Sequence, residues 1–206
     1  TGAMYDYMNI PAPWSSYKES IRTVSLGEGI TYISPFAFYG CNRIYNYSYT
    51  GDNYQVINRS LYSADGKTLV CSALTTSGEF VMPDSLENFE ATAFLNASAL
   101  TIVTNDKFTV SSSILYDSVG NIVMALPSYK SPSLTIDSAI NVQPYAFLLT
   151  PYPNAVRVYS SGSTFADFSI GYGYNDNGIV KNDLIYYGDA KAEAYHYAVD
   201  NGFEAN

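Results

Sequence analysis

The chain has 206 residues, with 10 Lys plus Arg against 19 Asp plus Glu, a net charge of −9 and a pI near 4.4. An acidic chain without a basic cluster argues against nucleic acid and anionic membrane as partners, because Lys and Arg supply the affinity for both. Charged residues are only 14% of the chain, against about 25% in ordinary globular proteins, so Ser, Thr, Asn and the 21 Tyr supply most of the polar surface. No apolar run approaches the roughly 20 residues that a membrane-spanning helix needs. Residues 1–5 lack the basic and apolar segments of a signal peptide, which leaves export open.

In chain order, residues 1–17 read as an N-terminal extension or cap. Ile21, Val24 and Leu26 then mark a short strand, residues 29–38 a turn ending in Ala37-Phe38, and Ile44, Tyr47 and Tyr49 a second strand. All three apolar positions recur at one constant offset, Ile21 to Ile44, Val24 to Tyr47 and Leu26 to Tyr49. Residues 58–70 read as a strand, a tight turn at Asp65-Gly66 and another strand. The pattern returns with Phe80, with a turn ending in Ala93-Phe94, and with Val103, which follows Phe80 at that same offset. Residues 112–123 repeat the hairpin, with Gly120-Asn121 at its turn, and Ile136, Ala146-Phe147 and Tyr159 give a third copy. The interval from Phe38 to Phe94 nearly equals that from Phe94 to Phe147, so a longer period encloses the short one. Residues 160–181 match no copy clearly and read as a degenerate unit or a decorated loop.

The tail, residues 184–203, reads as a strand followed by a short helix. Asp189 is the expected N-cap, Ala190, Ala194, Tyr197 and Ala198 form an apolar stripe, and Asn201-Gly202 is a C-cap. A repeat of this size cannot bury its apolar stripe alone, so copies must stack, and the last one must be covered. Ala suits a turn that approaches the strands closely, and Phe fills the space between turn and sheet. Phe38, Phe94 and Phe147 are therefore expected to form a stacked ladder, each burial contributing roughly 1.5–3 kcal/mol.

This pattern resembles the BspA-like leucine-rich repeats of surface proteins from anaerobic and gut bacteria. The positions that carry the likeness are Val24, Leu26, Gly29, Ile30, Ile33, Ala37, Phe38, Gly40, Cys41 and Ile44. They recur as Phe80, Met82, Pro83, Ser85, Leu86, Phe89, Ala93, Phe94 and Leu100, with Ala97 at the Cys position. Ser34 departs from the usual Gly, and the third copy carries an insertion around Pro151-Tyr152-Pro153. The resemblance implies an α/β, β-rich leucine-rich-repeat solenoid, a right-handed β-α superhelix with β-hairpin insertions and a short C-terminal helical cap. Its domain would span 18–204, with units of about 18–74, 75–128 and 129–182 and a cap at 183–204.

The expected function is an extracellular, cell-surface or secreted module for adhesion or ligand binding. Its partner would be a host or bacterial surface protein or a glycan. A structural spacer in a larger surface protein is the alternative, and an enzyme is not expected. His196 is the only histidine and stands near no nucleophile motif. Asn175-Asp176-Asn177-Gly178 has turn chemistry but lacks the flanking acids of a calcium loop. The acids are scattered singly, so nothing selects a catalytic pair. No cofactor or metal is expected. Cys41 and Cys71 read as buried thiols, with a bridge between them left open. Tyr45, Thr101 and Arg157 are the ligand-contact candidates. Tyr47 and Tyr49 are expected in the core, and Tyr45 serves either as contact surface or merely as an exposed ring. Asn46, Asn58 and Asn96 head formal glycosylation sequons, a motif short enough to arise by chance.

Overall fold

The computed structural model describes residues 2–73, 78–95 and 101–206. The chain divides into two compact units, residues 1–107 with 176–178 and residues 108–175 with 179–206.

In the first unit, the strand Thr23–Leu26 pairs in parallel with Asn46–Tyr49. Val24 lies opposite Tyr47 and Leu26 opposite Tyr49, which is the short-period register read from the sequence. Tyr47 is buried and Tyr49 half-buried, its hydroxyl donating to the Ile30 carbonyl at 3.1 Å. Gly2–Ala3 adds to Ile30–Tyr32. A three-stranded antiparallel meander follows, made of Tyr54–Ile57, Ser60–Ser63 and Thr68–Cys71, and Thr68–Cys71 also takes Asn88–Phe89 as a parallel neighbour. Glu79–Val81 pairs in parallel with Thr101–Val103.

The second unit repeats this plan. Its meander is Phe108–Ser111, Ile114–Asp117 and Ile122–Ala125, each strand following its counterpart at one constant offset. Parallel strands Asn141–Val142 and Thr164–Phe165 extend that sheet. Beside it runs the parallel sheet Ser133–Ile136, Ala155–Val158, Ile185–Gly188 and Glu204–Ala205. Residues 160–181 combine the two alternatives, degenerate unit and decorated loop. Thr164–Phe165 is a strand in the short-period register, opposite Asn141 and Val142, and Tyr172–Asn175 with Gly178–Lys181 is a decorating hairpin.

Two pairings differ from the sequence reading by one position. Phe80 faces Ile102 rather than Val103, and Ile136 faces Val158 rather than Tyr159. Such a slip moves a side chain to the other face of the sheet. Phe80, Ile136 and Val158 are buried, whereas Val103 and Tyr159 are exposed.

The Ala-Phe segments are not α-helices. Their amides bond three positions back: Ala37 to Ser34, Tyr39 to Phe36 and Cys41 to Phe38 in the first, Ala93 to Glu90 and Leu95 to Thr92 in the second, Ala146 to Gln143 and Leu148 to Tyr145 in the third. These are 3₁₀-type turns, too short to offset the cost of nucleating an α-helix. All three Ala are 1% exposed, and Phe38, Phe94 and Phe147 are buried behind the strands. Phe38 packs on Trp14 and Tyr47, Phe94 on Phe80 and Phe89, and Phe147 on Tyr129. The α/β expectation therefore narrows to a β-rich architecture.

Among the described residues the one α-helix is Glu193–Asp200. Ala194 and Ala198 are fully buried on its inner side, and Tyr197 donates its hydroxyl to the Ile170 carbonyl at 2.7 Å. Ala190, expected in that stripe, precedes the helix and is exposed. The helix ends as Asn201-Gly202 predicts. Gly202 has φ 67°, its amide bonds Val199, and the Phe203 amide reaches back to Ala198, so the last carbonyls are satisfied. The N-cap expectation is corrected. Ala192 occupies that position, and Asp189 Oδ1 instead accepts from the Lys191 amide at 2.9 Å, in the turn before the helix.

The meanders also contain a turn with no cue in the sequence. Asn58-Arg59 and Ser112-Ser113 all have positive φ, the signature of a two-residue hairpin turn of the I′ type. Neither pair contains glycine, so the segments read as strand. Ser112 and Ser113, at φ 50° and 60°, carry a left-handed strain of about 1 kcal/mol each. Replacing them with Asn-Gly is expected to raise stability by about 1 kcal/mol, or roughly 2–4 °C in melting temperature for a chain of this size. Calorimetry on the double variant checks this, and an unchanged or lower midpoint contradicts it.

Candidate functional site

The parallel sheet of the second unit alternates strictly. Leu134, Ile136, Val156, Val158 and Tyr186 point inward and are buried, as the alternating geometry of a strand demands. The opposite face carries Thr135, Arg157 and Tyr187, which lie side by side on three adjacent strands. Arg157 is exposed, and its guanidinium carbon sits 4.7 Å from the centre of the Tyr187 ring. A cation held over an aromatic face is stabilised by the ring quadrupole and loses mobility.

Just beyond the strand ends, the same face continues with Asp137, Tyr159 and Asp189, all exposed. Tyr159 is 73% exposed. Arg157, Val158, Tyr159, Tyr187, Gly188 and Asp189 line an open cavity of about 350 Å³. It thus joins a fixed cation, two aromatic rings and a carboxylate on one rigid sheet.

Of the three contact candidates, Arg157 is the one that lines this cavity. Tyr45, in the first unit, is 45% exposed just before the strand Asn46–Tyr49, where its amide bonds Arg22. Thr101, also in the first unit, opens the strand Thr101–Val103 and lies opposite Glu79 on the exposed face. Tyr45 precedes a strand of one sheet and Thr101 opens a strand of another. Tyr159, Tyr187 and Asp189 also line the cavity, and the sequence does not single them out as contact candidates. Their signal is strand alternation combined with a longer spacing, which sets Arg157 opposite Tyr187.

The other sequence features take these places. Cys41 and Cys71 are free and buried. Burial pushes the Cys41 thiol up to about 11 and the Cys71 thiol up to about 12. Both therefore stay protonated and act as small apolar groups rather than nucleophiles near neutral pH. His196 is exposed on the helix, with the Tyr195 ring as its neighbour. Asp176 and Asn177 form the tip of the Tyr172–Lys181 hairpin. Among the described residues no cluster of three or more His, Cys, Asp or Glu is placed to hold a metal, and no helix is long and apolar enough to cross a membrane. Asn46 is half-buried in its strand and Asn58 exposed at its turn, while Asn96, Ala97 and Leu100 lie outside the described residues.

Stacked parallel strands, Ala-Phe turns behind them and a short C-terminal helix define a β-rich solenoid repeat module. No protein-family model and no curated protein matches the sequence. Similar solved structures include a leucine-rich repeat protein from Eubacterium ventriosum, 18% identical with a TM-score of 0.44, over 93% of this chain and 60% of that one. A leucine-rich cell surface protein from Faecalibacterium prausnitzii is 14% identical with a TM-score of 0.38, over 84% of this chain and 55% of that one. This chain therefore covers less than two thirds of either protein.

Proposed function

We propose that this chain is a leucine-rich-repeat module of the BspA-like kind, secreted or displayed at a cell surface. It binds a partner, a surface protein or a glycan, through the solvent side of its parallel strands and performs no catalysis. The observation that carries this reading is the row of Thr135, Arg157 and Tyr187 with its adjoining cavity. A spacer has no use for a cation held over a half-buried ring, with a second, exposed ring beside an open cavity, whereas Tyr and Arg are the residues that concentrate binding energy at interfaces. The parallel crossovers are taken as right-handed, as such connections almost always are.

The test is binding of the purified chain to immobilised extracellular-matrix proteins, bacterial surface proteins and glycans. Saturable binding to at least one target supports the module reading. Absence of binding across all of them overturns it in favour of a spacer.

A further inference from the structure

We propose that Arg157, Tyr159, Tyr187 and Asp189 form a saccharide site that takes one ring of a neutral glycan. The inference rests on the binding-module reading and names its ligand class.

The argument begins with unspent hydrogen-bonding capacity. The Arg157 guanidinium makes no hydrogen bond or ion pair with another described residue, so its edge keeps its donors free while it sits over the Tyr187 ring. Asp189 is held by one oxygen only. Its Oδ1 accepts from the Lys191 amide, which leaves Oδ2 free to accept. A pair of neighbouring sugar hydroxyls needs both functions, a donor for one oxygen and an acceptor for the other proton, and a guanidinium beside a carboxylate supplies both.

The second element is the ring of Tyr159. It stands beside Asp189 at the end of its strand and is 73% exposed. Among the described residues no aromatic ring or cation is stacked on its face, and the C–H face of a pyranose is the complementary surface. Gly188 adds no side chain to the cavity wall between Tyr187 and Asp189. The volume of about 350 Å³ is at the small end for ligand pockets, which suits a single terminal ring.

Charge selects the class. The one cation of the site is flanked by Asp189 on the cavity wall and by Asp137 on the same face of the sheet, and the chain as a whole carries −9. A phosphate, sulfate or sialic acid carboxylate would meet this acidic surround. A neutral hexose or N-acetylhexosamine would not. The cavity is too open for an apolar peptide anchor, which would need a desolvated pocket.

The experiment uses the full chain on a glycan array, followed by titration with methyl glycosides of neutral hexoses and N-acetylhexosamines. Tyr159→Ala, Arg157→Ala and Asp189→Asn are measured beside the parent, with Val119→Ala, on an exposed turn outside the cavity lining, as the control. We expect binding to neutral glycans and at least tenfold weaker affinity in each of the three site variants, with the control unchanged. Tyr159→Ala should leave the melting temperature unaltered, because the ring is exposed, so its loss of binding reports the site and not unfolding. Three results overturn the proposal: no neutral glycan bound at millimolar concentration, binding indifferent to Tyr159 and Arg157, or selective binding of acidic glycans. If protein targets bind while no glycan does, the saccharide site falls and the binding module stands. If neither binds, both fall.

Discussion

Phe147→Ala is expected to cost about 3–5 kcal/mol, the usual range for removing a fully buried aromatic side chain. Phe147 is 0% exposed in the core of the second unit, with Val142, Ala146, Val156, Ile170, Tyr186 and Ala194 in the same cluster. Its ring also meets Tyr129 edge-on at 5.5 Å between centroids, a pairing worth about 0.5–1.5 kcal/mol beyond burial. The loss cannot be recovered by collapse, because the turn that carries it is anchored on both sides. The Phe147 amide bonds Ser169, and the Ala125 amide bonds Ala146. Urea unfolding measures the cost, and Tyr159→Ala, on an exposed ring, is the reference with little change. A Phe147→Ala variant within about 1 kcal/mol of the parent, below the range for a buried aromatic, would show that the turn does not carry the core.

Stability should fall steeply above about pH 9. Each thiol has an ordinary value of 9.0, raised by burial to about 11 for Cys41 and about 12 for Cys71. Between the ordinary and the raised values the unfolded chain has lost a proton that the folded chain retains. The unfolded state is therefore favoured as pH rises, by roughly 1.4 kcal/mol per pH unit for each thiol. Below about pH 9 both states hold the proton and neither thiol changes the stability. Burial also raises the hydroxyl of Tyr197 to about 12 and lifts those of Tyr47 and Tyr62, so the decline continues through the range where an unfolded Tyr ionises. Urea unfolding across this window, in the parent and in a Cys41→Ala/Cys71→Ala variant, separates the contributions. The parent should show the steeper slope, and equal slopes would contradict the assignment to the thiols.

The repeat is legible in the sequence because it rests on residues with few substitutes. Ala37, Ala93 and Ala146 are needed where a turn touches the strands, and each is followed by a Phe that fills the remaining gap. The first register is legible for a similar reason: Val24 and Leu26 alternate cleanly, as do Tyr47 and Tyr49. Later registers slip by one position where apolar residues occupy both faces. In Phe80-Val81-Met82 and Thr101-Ile102-Val103 an exposed Val sits where a polar residue would have marked the outside. The Ser112-Ser113 turn is hidden because it achieves positive φ without glycine.

The cavity is half legible. Arg157 is readable as a contact candidate, but its neighbours Tyr187 and Asp189 lie past the Tyr172–Lys181 hairpin, which lengthens the spacing between paired strands and removes the short-period cue. Sequence periodicity locates strands that repeat. It does not locate a partner displaced by an insertion.

If the outer face of the parallel sheet in the second unit is the contact surface, a bound target must shield it. Hydrogen exchange of the chain with and without a target from the panel tests this most directly. Exchange should slow in residues 133–137, 155–159 and 185–189, with the other exposed strands unchanged. Slowing confined to the sheet beside Tyr45 or to that of Thr101, with those three segments untouched, would contradict the assignment.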